Sequence, residues 1–167
     1  SELLALTYDD IRDNSLYINK QVSEVKTEAT DGIHIVPTKS AGSNRVIPLS
    51  GIVISEVRKH TAIHKAEMIK NGYRTNNIFT TSTGKYYYRR NVSRSLGRLY
   101  KRIGVPYHRF HAYRHTFGTN LSRAGIPIEE TCKLMGHSDI SITAKYYINI
   151  SAERKREAVE KILSFSL

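Results

Sequence analysis

This chain of 167 residues has a single cysteine. Cys132 alone cannot close an internal disulfide, so a fold held by burial and hydrogen bonds, in a reducing compartment, is expected. The sequence has no long uncharged apolar run, which excludes a membrane-spanning helix and a signal peptide from the reading. No internal repeat and no low-complexity segment is found. Acidic residues are scarce: 15 Asp and Glu stand against 26 Lys and Arg, a formal charge of +11. Such an excess favours a polyanionic partner, through counterion release from a phosphate backbone.

What is present fits one folded domain. Apolar residues make up 40% of the chain, and the length suffices for one domain with a real core. Ser1 to Leu6 reads as the end of an amphipathic helix, which implies a preceding segment. From Ser15 to Leu49, short apolar runs (Leu16, Ile18, Val22, Val25, Ile33, Ile35, Val46, Ile47) are broken by Asp31-Gly32 and Gly42-Ser43-Asn44. They predict a small antiparallel three-stranded sheet near the N-terminus. The rest reads as helical, so the expected fold class is α+β with helices dominant. Ser50 caps a helix ending near Asn71-Gly72; a second runs from about Arg90 to Arg102 and stops at Gly104. A third starts near His111 and stops at Gly125. Pro127 opens a fourth, which ends before Gly136. Ser141 to Tyr147 is a short helix or a turn. Ser151 to Leu163 is a charged helix with Ala158, Val159, Ile162 and Leu163 apolar.

The stretch "HAYRHTF" carries chemistry. His111 and His115 stand one helical turn apart, as zinc ligands do, but a zincin needs glutamate after the first histidine and Ala112 stands there. No third ligand is evident, so no metal is expected. The same spacing puts His111, Arg114 and His115 on one helix face. A guanidinium beside imidazoles suits a phosphate: arginine offers a bidentate fork, and histidine moves a proton near neutral pH. His137 follows just past a helix-ending glycine, and paired tyrosines come soon after in "AKYYI".

"HAYRHTFGTNL" followed by "LMGHSDISITAKYYINI" resembles the tyrosine recombinase (phage integrase) family. Its box reads H-x-x-R-H-T, then L-G-H, then a nucleophilic tyrosine nine or ten residues on. "PTKSAGSNRVIPL" is similar to the family's strand-turn-strand segment, whose lysine is Lys39. "SELLALTYDDI" is similar to the end of the motif in which a first catalytic arginine stands two residues before the serine, so that arginine is expected before Ser1. On this resemblance residues 1–167 form the family's catalytic domain without its first part and without the DNA-binding domains, residues 151–167 being the tail helix. This stretch alone is then expected to be inactive.

The resemblance implies site-specific recombination of double-stranded DNA at attachment sites, through a 3′-phosphotyrosine, in the cytoplasm of a bacterial host. The encoding element is a phage or an integrative or conjugative element. Tyr147 is the implied nucleophile, Arg114 the clamp on the phosphate oxygens and Lys39 the acid for the leaving 5′-oxygen. His111 accepts or shuttles the tyrosine proton, His137 hydrogen-bonds the phosphate and His115 is structural. Spacing permits Tyr146 or Tyr147. The downstream Ile148-Asn149-Ile150-Ser151 favours Tyr147, with Asn149 replacing the family's histidine. No cofactor is implied. Self-association into a ring of four on DNA, with the tail exchanged between protomers, is implied, as are accessory DNA-bending proteins. Lys85, Arg89, Arg90 and Arg94 are candidate DNA-backbone contacts. Tyr86, Tyr87 and Tyr88 either stack on DNA or fill a partly buried loop. The competing reading is a DNA-binding relative that has lost activity.

Overall fold

The computed structural model describes residues 1–25, 32–147 and 156. The chain divides into two units, Ser1–Arg109 and Phe110–Leu167.

The first unit begins with 3-10 turns at Leu3–Ala5 and Tyr8–Asp10 in place of the expected helix end. Leu4 and Ala5 are buried there and form a core with Val22, against which Ile33, Phe79, Tyr86, Tyr87 and Val92 pack. The four-residue apolar run Leu3 to Leu6 goes into a core and leaves no length for a helix. Arg45 donates to both carboxylate oxygens of Glu2, at 3.0 and 2.7 Å, and so ties this segment to the sheet.

The strands are β1 (Ile11–Arg12), β2 (Ser15–Ile18), β3 (Lys20–Ser23), β4 (His34–Pro37) and β5 (Arg45–Pro48). They form two antiparallel ladders, β1-β2-β5 and β3-β4. The three-stranded sheet is present, and Asn19 breaks the long strand so that its second half pairs separately. Asp13 and Asn14 turn β1 into β2 with φ of 50° and 53°, the geometry a tight hairpin requires. Alternation then faces Leu16 against Ile47 and Val22 against Ile35. Asp31 lies outside the described residues.

Helix α1 (Gly51–Asn71) is capped by Ser50, whose hydroxyl accepts from the Val53 N–H, and it ends at Gly72. Its apolar residues are only partly turned inward: Ile52 is 78% and Ile69 84% exposed, while Ile54, Val57 and Met68 are half-buried. The buried residue is His64, only 2% exposed. Its Nδ1 lies 2.7 Å from the Tyr8 hydroxyl and its Nε2 lies 2.8 Å from Thr80 Oγ1. A neutral imidazole has one acceptor and one donor nitrogen, so the ring accepts at one of these contacts and donates at the other. His60 stacks on His64 at 5.7 Å and bonds the Ile78 carbonyl at 2.9 Å. A polar hub thus occupies the place where an apolar stripe would usually sit. Helix α2 (Arg89–Ile103) ends at Gly104 and carries no acidic residue.

The second unit packs α3 (Phe110–Arg123), α4 (Ile128–Met135) and α5 (Ile140–Ala144) together. Pro127 is the N-cap of α4, and Glu129 and Glu130 occupy its first turn, where the helix dipole favours carboxylates. The short helix expected after Ser141 is α5, with a turn through Tyr147. The charged tail helix of residues 151–167 lies outside the described residues.

The hub sets two expectations. Tyr8→Phe removes the hydrogen-bond partner of a buried ring nitrogen and should lower stability by about 1–3 kcal/mol in urea unfolding; a change near zero would contradict the hub. Burial, with the neighbouring His60, lowers the His64 pKa below the ordinary 6.5. The unfolded chain therefore takes that proton first. His64's contribution to stability is complete above about pH 6.5 and is lost as pH falls from there through its folded value. An imidazole NMR titration with a midpoint at or above 6.5 would contradict this.

Candidate active site

Helix α3 presents His111, Arg114 and His115 within its first two turns. The His111 and His115 rings meet edge to face at 5.4 Å, and His115 meets the Tyr146 ring at 5.5 Å. His115 has its pKa lowered, first by burial and then by the positive charges of Lys145, His111 and Arg114. Tyr146 has its pKa raised by burial, which outweighs the opposing pull of Arg114.

Arg114 is half-buried and its Nη2 donates to the Met135 carbonyl. Met135 is the last residue of α4, and carbonyls at a helix end lack intrahelical partners. The guanidinium therefore locks α3 to the end of α4. Gly136 follows at φ 66°, a left-handed position that favours glycine and terminates the helix sharply. That turn delivers His137. The His137 N–H bonds the Cys132 carbonyl at 3.1 Å, and Cys132 Sγ donates to the His137 carbonyl at 3.2 Å. His137 Nδ1 lies 2.9 Å from the hydroxyl of buried Thr143. Backbone and ring edge are both fixed before any ligand arrives.

Tyr147 is held elsewhere. Its hydroxyl donates to the Ile126 carbonyl at 2.6 Å and lies 2.5 Å from Thr131 Oγ1. The phenol has one proton, and Ile126 takes it, so Thr131 donates to the phenol oxygen. Thr131 is fully buried. Sequence reasoning missed Thr131, Thr143 and Gly118. The first two are threonines on helices that look ordinary in sequence. Gly118, one turn after Arg114, was the available signal of a close approach.

Lys39 belongs to the first unit, exposed in the bend after β4. Its loop is cross-braced: Thr38 donates to Asn44 at 2.6 Å, and the Ser40 and Ser43 hydroxyls lie 2.9 Å apart. Lys85, Arg90 and Arg94 are exposed, and Arg89 pairs with Glu24 at 3.3 Å. Tyr86 and Tyr87 pack on the core, and Tyr88 is exposed. Among the described residues no three His, Cys, Asp or Glu side chains converge to hold a metal, and no helix is long and apolar enough to cross a membrane.

Comparison with known proteins matches this arrangement to one group. The sequence model of the phage integrase family matches residues 1–154. A tyrosine recombinase XerC-like protein of Caldanaerobacter subterraneus subsp. tengcongensis is 31% identical over 175 residues, covering 96% of this chain and 44% of its own length. The integrase of Staphylococcus phage L54a is 26% identical over 170 residues, covering 96% of this chain and 47% of its own. The chain thus spans about half the length of the curated relatives it matches. Among solved structures, a Tn1549 transposon integrase in complex with a circular intermediate DNA superposes with a TM-score of 0.76 at 25% identity, over 97% of this chain and 54% of that one. The XerA recombinase shares the fold, with a TM-score of 0.66 at 15% identity over 96% of this chain and 51% of that one.

The docked phenol gives a stability test. Tyr147→Phe leaves the Thr131 hydroxyl and the Ile126 carbonyl without this partner and should cost about 1–3 kcal/mol. Adding Thr131→Val should recover part of that loss, since both polar partners are then replaced. If Tyr147→Phe unfolds at the parent's urea midpoint, the docking contributes nothing.

Proposed function

The chain belongs to the phage integrase family, and we propose from that premise that it is the catalytic portion of a site-specific tyrosine recombinase acting on double-stranded DNA. The observation that carries this reading is the fixed pair Arg114 and His137, held at the junction of α3 and α4 in the unit that also bears Tyr147. An arginine and a histidine immobilised there by backbone and buried-threonine contacts form a preorganised receptor for a phosphate.

In the proposed reaction Tyr147 Oη attacks the phosphorus of a DNA phosphodiester. A phosphorus–tyrosine bond forms, the bond to the 5′-oxygen breaks, and a 3′-phosphotyrosine remains. The phenol proton passes to His111, and Lys39 gives a proton to the leaving 5′-oxygen. Arg114 takes the charge that develops on the nonbridging oxygens, and His137 hydrogen-bonds one of them. A 5′-hydroxyl from another duplex reverses the steps and rejoins the strands. One phosphoester bond replaces another throughout, so the chemistry needs no external energy source. A docked phenol cannot attack, because Ile126 holds its proton and Thr131 occupies its oxygen. Cleavage therefore requires Tyr147 to leave that site.

The partner is duplex DNA at attachment sites, in the cytoplasm of a bacterial host, and assembly is a tetramer with accessory DNA-bending proteins. The charge of +11 supports a phosphate-rich partner. Exposed Lys85, Arg90 and Arg94 are the proposed backbone contacts, joined by Arg89 if DNA displaces Glu24. A second reading takes Tyr146 as nucleophile, because its ring lies against His115 and within the field of Arg114.

Trapping the full-length protein on a nicked duplex carrying its attachment junction decides between them. Mass spectrometry should find the DNA-linked peptide modified at Tyr147, and Tyr147→Phe should abolish the adduct while binding stays near the parent's. A modified Tyr146 would install the second reading. Arg114→Lys should slow cleavage by about 10²–10³-fold, since one ammonium cannot replace a bidentate fork. The adduct should form in excess EDTA; loss on chelation, with recovery on adding magnesium or zinc, would contradict a phosphate site built from arginine and histidine.

A further inference from the structure

Gly118 lies one helical turn beyond Arg114 on the same face of α3. A Cβ built on it would stand 2.9 Å from Met135 Sδ and 3.0 and 3.1 Å from two carbons of the Tyr146 ring. The glycine is therefore a notch, and the Tyr146 ring fills it with the Met135 side chain alongside. Met135 is 2% exposed, and its carbonyl is the group that Arg114 holds. The ring also meets His115 at 5.5 Å. The Tyr146 N–H bonds the carbonyl of Thr143 at 3.0 Å, the residue whose hydroxyl fixes His137. Tyr146 thus meets Gly118 and His115 through its ring and Thr143 through its backbone. It is also the residue joined to Tyr147.

We propose that Tyr146 is a positioning residue for strand cleavage: its ring, seated in the Gly118 notch beside His115 and Met135, is the pivot about which Tyr147 swings from Thr131 to the phosphate. Consecutive Cα atoms are about 3.8 Å apart, so a seated Tyr146 confines the Tyr147 backbone to a small arc beside α3. Without the seat the segment would sample many arrangements, few of them in line with the phosphorus. A misplacement of about 1 Å can cost about 100-fold in rate. The role belongs to the ring and not to its hydroxyl. This inference rests on Tyr147 being the nucleophile.

Single-turnover covalent-complex formation, measured with the full-length protein on the nicked junction duplex at saturating protein, tests it. Tyr146→Phe keeps the ring and should cleave within about twofold of the parent. Tyr146→Ala should slow cleavage by roughly ten- to a hundredfold with the duplex Kd nearly unchanged. Gly118→Ala should slow it similarly by filling the notch. Alanine is the better helix former, so this loss should come without loss of helix by circular dichroism. The double variant should be no slower than Tyr146→Ala, because both act through one contact. Parental rates in Tyr146→Ala overturn the proposal. Should Tyr146→Ala fail to fold, Gly118→Ala decides, and parental cleavage there overturns it equally. If Tyr146→Phe abolishes cleavage, the hydroxyl matters and the positioning role is wrong. An adduct that persists in Tyr147→Phe instead removes the nucleophile assignment beneath it.

Discussion

The arrangement of the second unit depends on the hydrogen bonds that hold the Tyr147 hydroxyl between the Ile126 carbonyl and Thr131. They dock the turn after α5 onto the start of α4. Each such bond contributes about 0.5–1.5 kcal/mol net, so the docked state is favoured by about 1–3 kcal/mol, or roughly five- to 150-fold. On the proposed mechanism, that is enough to keep Tyr147 off solvent-borne phosphates. It is small beside what a strongly basic protein gains on a polyanion, so DNA binding can reverse it.

Around this reversible contact the remaining groups are fixed. Arg114 on the Met135 carbonyl and His137 on Thr143 join α3, α4 and α5 through polar contacts, with Thr131 and Thr143 fully buried. The first unit has the same character, with His64 at its hub. Buried polar groups of this kind specify one arrangement because each alternative leaves a donor or acceptor unpaired. A receptor set before the ligand arrives suits transition-state stabilisation; a nucleophile that moves suits control. The proposed mechanism assigns the two properties to different residues.

The helix boundaries were legible because their signals are local: Ser50 and Pro127 at starts, Gly72, Gly104 and Gly136 at ends. Spacing and family resemblance pointed to His111, Arg114 and His137 as a phosphate receptor, and the family itself is borne out. What the sequence concealed depended on tertiary partners. The apolar residues of α1 suggest a buried face, yet His64 is the one inside, because Tyr8 and Thr80, distant in sequence, satisfy its nitrogens. Leu3 to Ala5 read as helix and form a 3-10 turn that drops into the core. Asn19 splits one strand between two ladders, a break that apolar periodicity does not register. Tyr86 and Tyr87 left packing and DNA stacking open, and the core takes them. Nothing in the order of residues indicates that Tyr147 is docked on a carbonyl and a threonine.

The central claim is that Tyr147 leaves Thr131 before it cleaves. Fluorotyrosine placed at position 147 of the full-length protein reports this directly through its fluorine resonance. Without DNA the resonance should sit at a buried position that Thr131→Val shifts. On an uncleavable junction duplex it should move to a second position, insensitive to Thr131→Val. A resonance that stays at the buried, Thr131-sensitive position on DNA, in a protein that cleaves the matching cleavable duplex at its normal rate, would contradict the account.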